Sequence, residues 1–165
     1  MATLANPRKF RYGLGHGQYR IWPEAATCVA KRGEPVLLSS GKIARCTTTA
    51  TSLTSGTGVA GWAMADASGT TDADIVVLMA NDSTEWLIPV IHGTAASAVT
   101  AVTNVGTQYC ISHLTTGGWY GYEISVTTNP VIEVTELCAE YAAGEQYGTA
   151  WVKIATTAMA AGGIA

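Results

Sequence analysis

The chain has 165 residues, of which 48% are apolar and 13% charged, and its formal net charge is −3. This is the length of one globular domain, which buries enough surface to fold without a disulfide or a metal. No apolar run approaches the about 20 residues of a membrane-spanning helix, so no membrane partner is expected. The first ten residues lack an apolar core ahead of their charges, so we expect no export by a signal peptide.

The charges are divided unevenly along the chain. Residues 1–45 contain eight of the nine basic residues and two acids, and residues 46–165 contain one base and ten acids. Such an asymmetry of sign favours association, because the charge distribution guides the encounter with a partner. It does not determine the fold. The sequence therefore predicts a protein that attaches to another surface or to copies of itself.

Residues 1–32 are predicted to form an extended basic and aromatic N-terminal arm. Prolines and glycines interrupt any periodicity there, but the segment is richer in aromatic residues than a disordered linker. We therefore expect it to become ordered against a surface, either that of a partner or that of a neighbouring subunit. The residues predicted to make this contact are Arg8, Lys9, Phe10, Arg11, Tyr12, Tyr19, Arg20 and Trp22.

Residues 33–157 are predicted to form a β domain, and residues 158–165 a flexible C-terminal tail. Short β-type runs alternate with turn residues, and only residues 94–102 show a weak helical spacing. This pattern predicts an all-β fold, a small barrel or sandwich with at most one or two short helices. The predicted strands are 35–39, 42–48, 58–64, 75–79, 84–91, 119–126, 131–137 and 149–154.

The metal-binding residue types are scattered. His16, His92 and His113 are far apart, and the four cysteines form no Cys-x-x-Cys pair, so neither a metal site nor a cofactor is predicted. Cysteines of this kind are often buried hydrophobic residues in reducing compartments, which favours buried free thiols over disulfides. The cysteines are Cys28, Cys46, Cys110 and Cys138.

Catalytic motifs are also missing from the sequence. The glycine-rich segment 13–17 lacks the preceding strand and the following helix of a phosphate-binding loop. Glycoside hydrolysis requires two carboxyl groups on opposite sides of a cleft. The spacing of the acidic pairs Asp72/Asp74 and Glu133/Glu136 does not predict such an arrangement. The basic arm has the residue types that bind single-stranded nucleic acid, but the acidic body would repel it. We expect a non-enzymatic protein without a nucleic-acid partner.

The order and texture of several segments resemble a known family. These segments are 35–42, 58–67, 74–79, 85–90, 105–109, 127–137 and 151–154, within about residues 33–155. They resemble the head decoration, or cement, proteins of tailed bacteriophages, particularly the small β-tulip kind. The resemblance does not extend to residues 1–32.

The resemblance implies a structural virion protein that is made in the host bacterial cytoplasm. It would bind the major capsid protein on the outer surface of the expanded head and stabilise the shell. It would do so as a homotrimer at three-fold and quasi-three-fold positions. The resemblance implies no catalytic residues, cofactor or metal.

Two other functions remain open at the level of the sequence. The first is a phage tail or fibre-associated β module that binds carbohydrate through Trp86, Trp119 or Trp151. The second is a small hydrolase whose site is assembled from acids distant in the sequence.

Overall fold

A computed structural model describes residues 11–14, 17–46, 58–81, 84–114, 119–126, 130–139 and 143–155 of the chain. The predicted all-β fold is confirmed. The regular elements among these residues are strands, apart from the two three-residue 3-10 turns Ala95–Ser97 and Val102–Asn104. The strands are β1 (Arg11–Leu14), β2 (Tyr19–Pro23), β3 (Pro35–Ser39), β4 (Lys42–Arg45), β5 (Gly58–Ala63), β6 (Asp74–Met79), β7 (Glu85–Ile91), β8 (Gln108–Leu114), β9 (Trp119–Glu123), β10 (Ile132–Leu137) and β11 (Thr149–Ile154).

Five strands close into a barrel in the order β7, β11, β10, β8 and β9. Neighbouring strands are antiparallel except at the closing pair, where β9 runs parallel to β7 with Val90 opposite Tyr122. Strand β1 continues the same edge of β7 at its N-terminal end, where Arg11 lies opposite Leu87. Closure of the ring satisfies the backbone hydrogen bonds that open sheet edges would leave exposed.

The other five strands form a second antiparallel sheet in the order β2, β6, β5, β3 and β4. Its two outer strands approach each other where Glu24, just after β2, bridges Ile43 of β4. Strand β5 bends at Gly61, whose φ is +148°. A Cβ atom at that position would lie 1.9 Å from the carbonyl oxygen of Leu78, so the approach of β6 requires glycine there.

Each sheet has a hydrophobic core, and the second sheet contributes to both cores, one with each of its faces. Val36, Ile43 and Val77 belong to the hydrophobic core that covers one face of the second sheet. Trp62 and Leu78 point from its other face into the core of the barrel. The two sheets are therefore joined through a continuous apolar contact.

Several elements differ from those predicted. Residues 94–102 form a 3-10 turn at Ala95–Ser97 rather than a helix, consistent with the poor helical propensity of its threonines and valines. Strand β8 was not predicted. Strands β1 and β2 lie inside the predicted arm, so the surface that orders these residues is the chain's own. The predicted C-terminal tail lies outside the described residues.

Candidate interaction surface

The residues predicted to bind a partner fall into three groups. Arg8, Lys9 and Phe10 lie outside the described residues. Arg11 and Tyr12 belong to β1, where their backbones lie opposite Leu87 and Trp86 of β7. The remaining three, Tyr19, Arg20 and Trp22, lie on β2.

Strand β2 presents its residues alternately to opposite faces of the second sheet. Trp22 packs against the core of that sheet, and its indole N–H donates a hydrogen bond to the sulfur of Met79 at 3.5 Å. The guanidinium of Arg20 lies 4.4 Å from the centre of the Trp22 ring, within the range of a cation–π interaction. Trp22 is thus engaged in the chain's own fold, and Arg20 with it.

The opposite face of β2 carries an exposed apolar patch. Tyr19 and Ile21 are 63% and 62% exposed, and Val76, which lies opposite Ile21 on β6, is 37% exposed. We call Tyr19, Ile21 and Val76 the β2 patch. Ile21 and Val76 were not among the predicted contact residues.

A cavity of about 200 Å³ adjoins the β2 patch at Tyr19. Trp62, Leu78 and Trp86, which line part of it, are each no more than 3% exposed. Tyr19 and Arg32 are exposed residues of the same lining. Among the described residues, the lining consists of Tyr19, Arg32, Gly33, Trp62, Ala63, Met64, Leu78 and Trp86.

Much of the positive charge of residues 1–45 is paired within the chain. Lys31 and Lys42 form ion pairs with Asp66 and Asp72 of the acidic part of the chain, at 3.0 and 2.6 Å. Arg45 and Glu34 share two hydrogen bonds of 3.0 Å in a bidentate pair. Within the described residues, Arg20 and Arg32 have no ion pair. Arg20 lies over Trp22 on the opposite face of β2, whereas Arg32 lines the cavity beside the β2 patch.

A cysteine and a histidine flank Tyr120 at the junction of the two sheets. The hydroxyl of Tyr120 donates to the carbonyl oxygen of Cys46, and the Tyr120 and His113 rings are 4.6 Å apart. Burial raises the pKa of the Cys46 thiol to about 12, and burial followed by the charge of Arg45 lowers the pKa of His113. At neutral pH the thiol is protonated, and a thiol is a far weaker nucleophile than a thiolate.

The other candidate residues are those considered for metal binding, disulfide formation and acid catalysis. No group of three histidine, cysteine or acidic side chains in the described part of the chain could hold a metal ion. Cys28, Cys46 and Cys110 are buried, which confirms the prediction for these three, while Cys138 is half-buried; no disulfide links the four. Among the described acids, Glu133 pairs with Lys153 at 3.1 Å.

The tryptophans considered as carbohydrate-binding platforms differ in how far their rings are buried. Trp86 is 2% exposed, and its ring face is stacked on Trp62 with the centroids 3.6 Å apart. This face is therefore not available to stack on a sugar ring. Trp151 is half-buried on β11, and the side chain of Trp119 lies outside the described part.

Comparisons with protein-family models, with curated proteins and with solved structures identify no match for this chain. None of the helical segments in the described residues is long and apolar enough to span a bilayer.

Proposed function

We propose that this chain is a non-enzymatic decoration protein that binds the outer surface of an expanded phage head and stabilises the shell. The observation that carries the proposal is the β2 patch, where Tyr19 and Ile21 are 63% and 62% exposed on a regular strand. Contiguous exposed apolar side chains on a well-packed domain mark surfaces that bind other macromolecules. The resemblance of segment order supports the major capsid protein as the partner.

The way in which the β2 patch is built supports a binding role. Backbone pairing of Tyr19 with Leu78 and of Ile21 with Val76 holds the patch residues on two adjacent strands. Binding to such a preorganised surface costs little conformational entropy, so the apolar contact contributes more fully to affinity. Large apolar side chains at the centre of an interface commonly supply most of its binding energy.

The proposed assembly is a homotrimer that presents three β2 patches to the head. One patch is small, and burial of each side chain contributes about 2 kcal/mol. Three patches that engage together add avidity of about 10²–10⁴ over a single contact when their spacing matches that of the shell. This arrangement would hold the protein on the head without a large interface on each subunit.

The test is co-sedimentation of the purified chain with expanded heads that lack it, together with its solution mass by light scattering. We expect saturable binding, with the number of copies per head a multiple of three. The variant Ile21→Ser should lose this binding. Val102→Ser is the matched control, because Val102 is 71% exposed but lies outside the β2 patch. A monomer that does not sediment with the heads, or equal retention of the two variants, contradicts the proposal.

A phage tail or fibre module that binds carbohydrate is the alternative. It would show as binding to immobilised glycans in the absence of heads, and as loss of that binding in Trp151→Ala. The covered ring of Trp86 argues against it, because sugar platforms require an open aromatic face.

A further inference from the structure

We infer that the cavity beside the β2 patch receives a large apolar side chain of the partner, and that a carboxylate adjacent to this side chain pairs with Arg32. This inference rests on the proposed function, because it specifies what kind of segment on the partner protein the surface recognises. Three features of the cavity carry it: its preformed walls, its size and the charge at its rim.

The deep part of the cavity is fixed by packing. Trp62, Trp86 and Leu78 belong to the barrel core and are almost fully buried. At the rim, the N–H of Gly33 donates to the carbonyl oxygen of Ala63 at 2.7 Å. A cavity held in this way exists before the partner arrives, as is usual for pockets that bind side chains or small ligands.

The size of the cavity suits a single side chain. Its volume is about 200 Å³, and an apolar cavity of about 150 Å³ already accommodates benzene. Pockets that hold drug-sized ligands are usually about 300–1,000 Å³. The cavity therefore fits the ring of a phenylalanine or a large aliphatic side chain better than an oligosaccharide.

The charge at the rim is positive. The backbone N–H of Arg32 donates to a carboxylate oxygen of Asp66 at 2.9 Å, which fixes the position of the residue, while Lys31 forms the ion pair with Asp66. No acidic residue is part of the cavity lining among the described residues. A carboxylate adjacent to the inserted side chain would pair with the guanidinium of Arg32, which presents a fork suited to carboxylates.

The first experiment compares two blocked dipeptides, acetyl-Phe-Asp-amide and acetyl-Phe-Asn-amide, by amide chemical shifts of the full chain. We expect saturable shifts at Gly33, Ala63 and Met64, and affinity about fivefold higher for the aspartate peptide, the upper range for an exposed ion pair. Arg32→Gln should abolish this preference, whereas the matched control Arg20→Gln should retain it.

Equal affinities of the two peptides for the unmodified chain, or shifts confined to other amides, would overturn the inference. Shifts of the same three amides by N-acetylglucosamine, with none from the peptides, would overturn it in favour of a carbohydrate ligand. Arg32 is exposed and its side chain contributes nothing to the core, so Arg32→Gln tests binding without testing folding.

A second experiment separates this inference from the proposed function. In co-sedimentation with expanded heads, Arg32→Gln should be retained less well than Arg20→Gln. Equal retention of these two variants overturns the inference and leaves the proposed function in place. Failure of the unmodified chain to bind heads overturns the proposed function, and the peptide comparison then decides the inference by itself.

Discussion

Trp62 of β5 and Trp86 of β7 stack on each other with their ring centres 3.6 Å apart and their planes inclined by 21°. The two residues come from different sheets, and each is 2% exposed. The stack lies in the core that joins the barrel to the second sheet, and its members also line the cavity beside the β2 patch. The same contact thus belongs both to the core of the barrel and to the wall of the candidate site.

We expect Trp62→Ala to reduce the free energy of unfolding by about 3–5 kcal/mol, because it leaves a large cavity between the sheets. A double-mutant cycle with Trp86→Ala should give a coupling energy of about 0.5–1.5 kcal/mol from the ring contact. Urea unfolding followed by circular dichroism measures both quantities. Trp151→Ala, at a half-buried tryptophan, is the control. An equal cost in the control, or no coupling, would show that the stack does not hold the sheets together.

Gly121 controls closure of the barrel. A Cβ atom at this position would lie 2.5 Å from both the carbonyl oxygen of Pro89 and Cγ2 of Ile91 on β7. Gly121→Ala should therefore push β9 away from β7 and destabilise the fold by about 1–3 kcal/mol or more. The control is Gly93→Ala, since Gly93 is exposed and has no atom within 4 Å of the corresponding position.

Thermal unfolding of these two glycine variants provides the measurement. Gly93→Ala should remain within about 0.5 kcal/mol of the parent chain. Similar melting temperatures for both variants would mean that the paired strands β7 and β9 accommodate the added methyl group without loss of stability.

Glu24 is a buried carboxylate that organises a loop. It is 1% exposed and accepts hydrogen bonds from the backbone N–H groups of Ser68 and Gly69, at 2.8 and 2.9 Å, and from the Ser68 hydroxyl at 3.1 Å. Glu24→Gln turns an amide N–H₂ group toward one of these donors. We expect a loss of about 1–3 kcal/mol and faster hydrogen exchange at Ser68 and Gly69.

Glu136→Gln is the matched control for Glu24→Gln, because Glu136 is exposed on β10. It should leave hydrogen exchange at Ser68 and Gly69 unchanged. Unaltered exchange in Glu24→Gln itself would show that the loop holds its shape without the carboxylate.

His113 makes stability depend on pH. Its Nε2 atom is buried without a hydrogen-bond partner among the described residues, and burial, followed by the nearby charge of Arg45, lowers its pKa from 6.5. Below about pH 6.5 the unfolded chain binds a proton that the native histidine resists, so native stability falls as the pH drops toward the native pKa. The melting temperature should therefore decrease between about pH 7.5 and about pH 5.5.

His113→Gln should reduce that decrease. Glu133→Gln serves as a control in a different pH range, because its hydrogen bond from Lys153 lowers the pKa of Glu133 from 4.5. Stability from that carboxylate is present above about pH 4.5 and is lost as the pH falls through the lower native pKa. An undiminished pH dependence in His113→Gln would assign the decrease to other groups.

Local patterns in the sequence predicted much of the fold. The apolar run 75–79 and the segments 35–39 and 149–154 became strands because their own side chains suit a covered sheet. Strand β8 escaped prediction because the polar residues Ser112 and His113 interrupt its apolar character. Strand β2 was missed because its place in the sheet depends on pairing with β6, far along the chain.

The candidate site was predicted only in part, for the same physical reason. The sequence indicated Tyr19, Arg20 and Trp22 as contact residues by type, but it did not show that Tyr19 and Trp22 lie on opposite faces of a strand. Ile21 was omitted because an aliphatic residue has no chemical signature outside its structural context. The cavity depends on contact between the two sheets and has no local signal.

The exposed and the inward-facing residues of β2 should respond differently to substitution. Ile21→Ser removes an exposed side chain, so it should weaken binding to expanded heads and leave the melting temperature nearly unchanged. Trp22→Ala removes packing against the core of the second sheet and the hydrogen bond to the sulfur of Met79. It should therefore destabilise the chain by about 2–4 kcal/mol, somewhat less than a fully buried tryptophan. Co-sedimentation and thermal unfolding of both variants separate the two effects. Normal binding by Ile21→Ser, together with lost binding by a fully folded Trp22→Ala, would move the binding surface to the opposite face of β2.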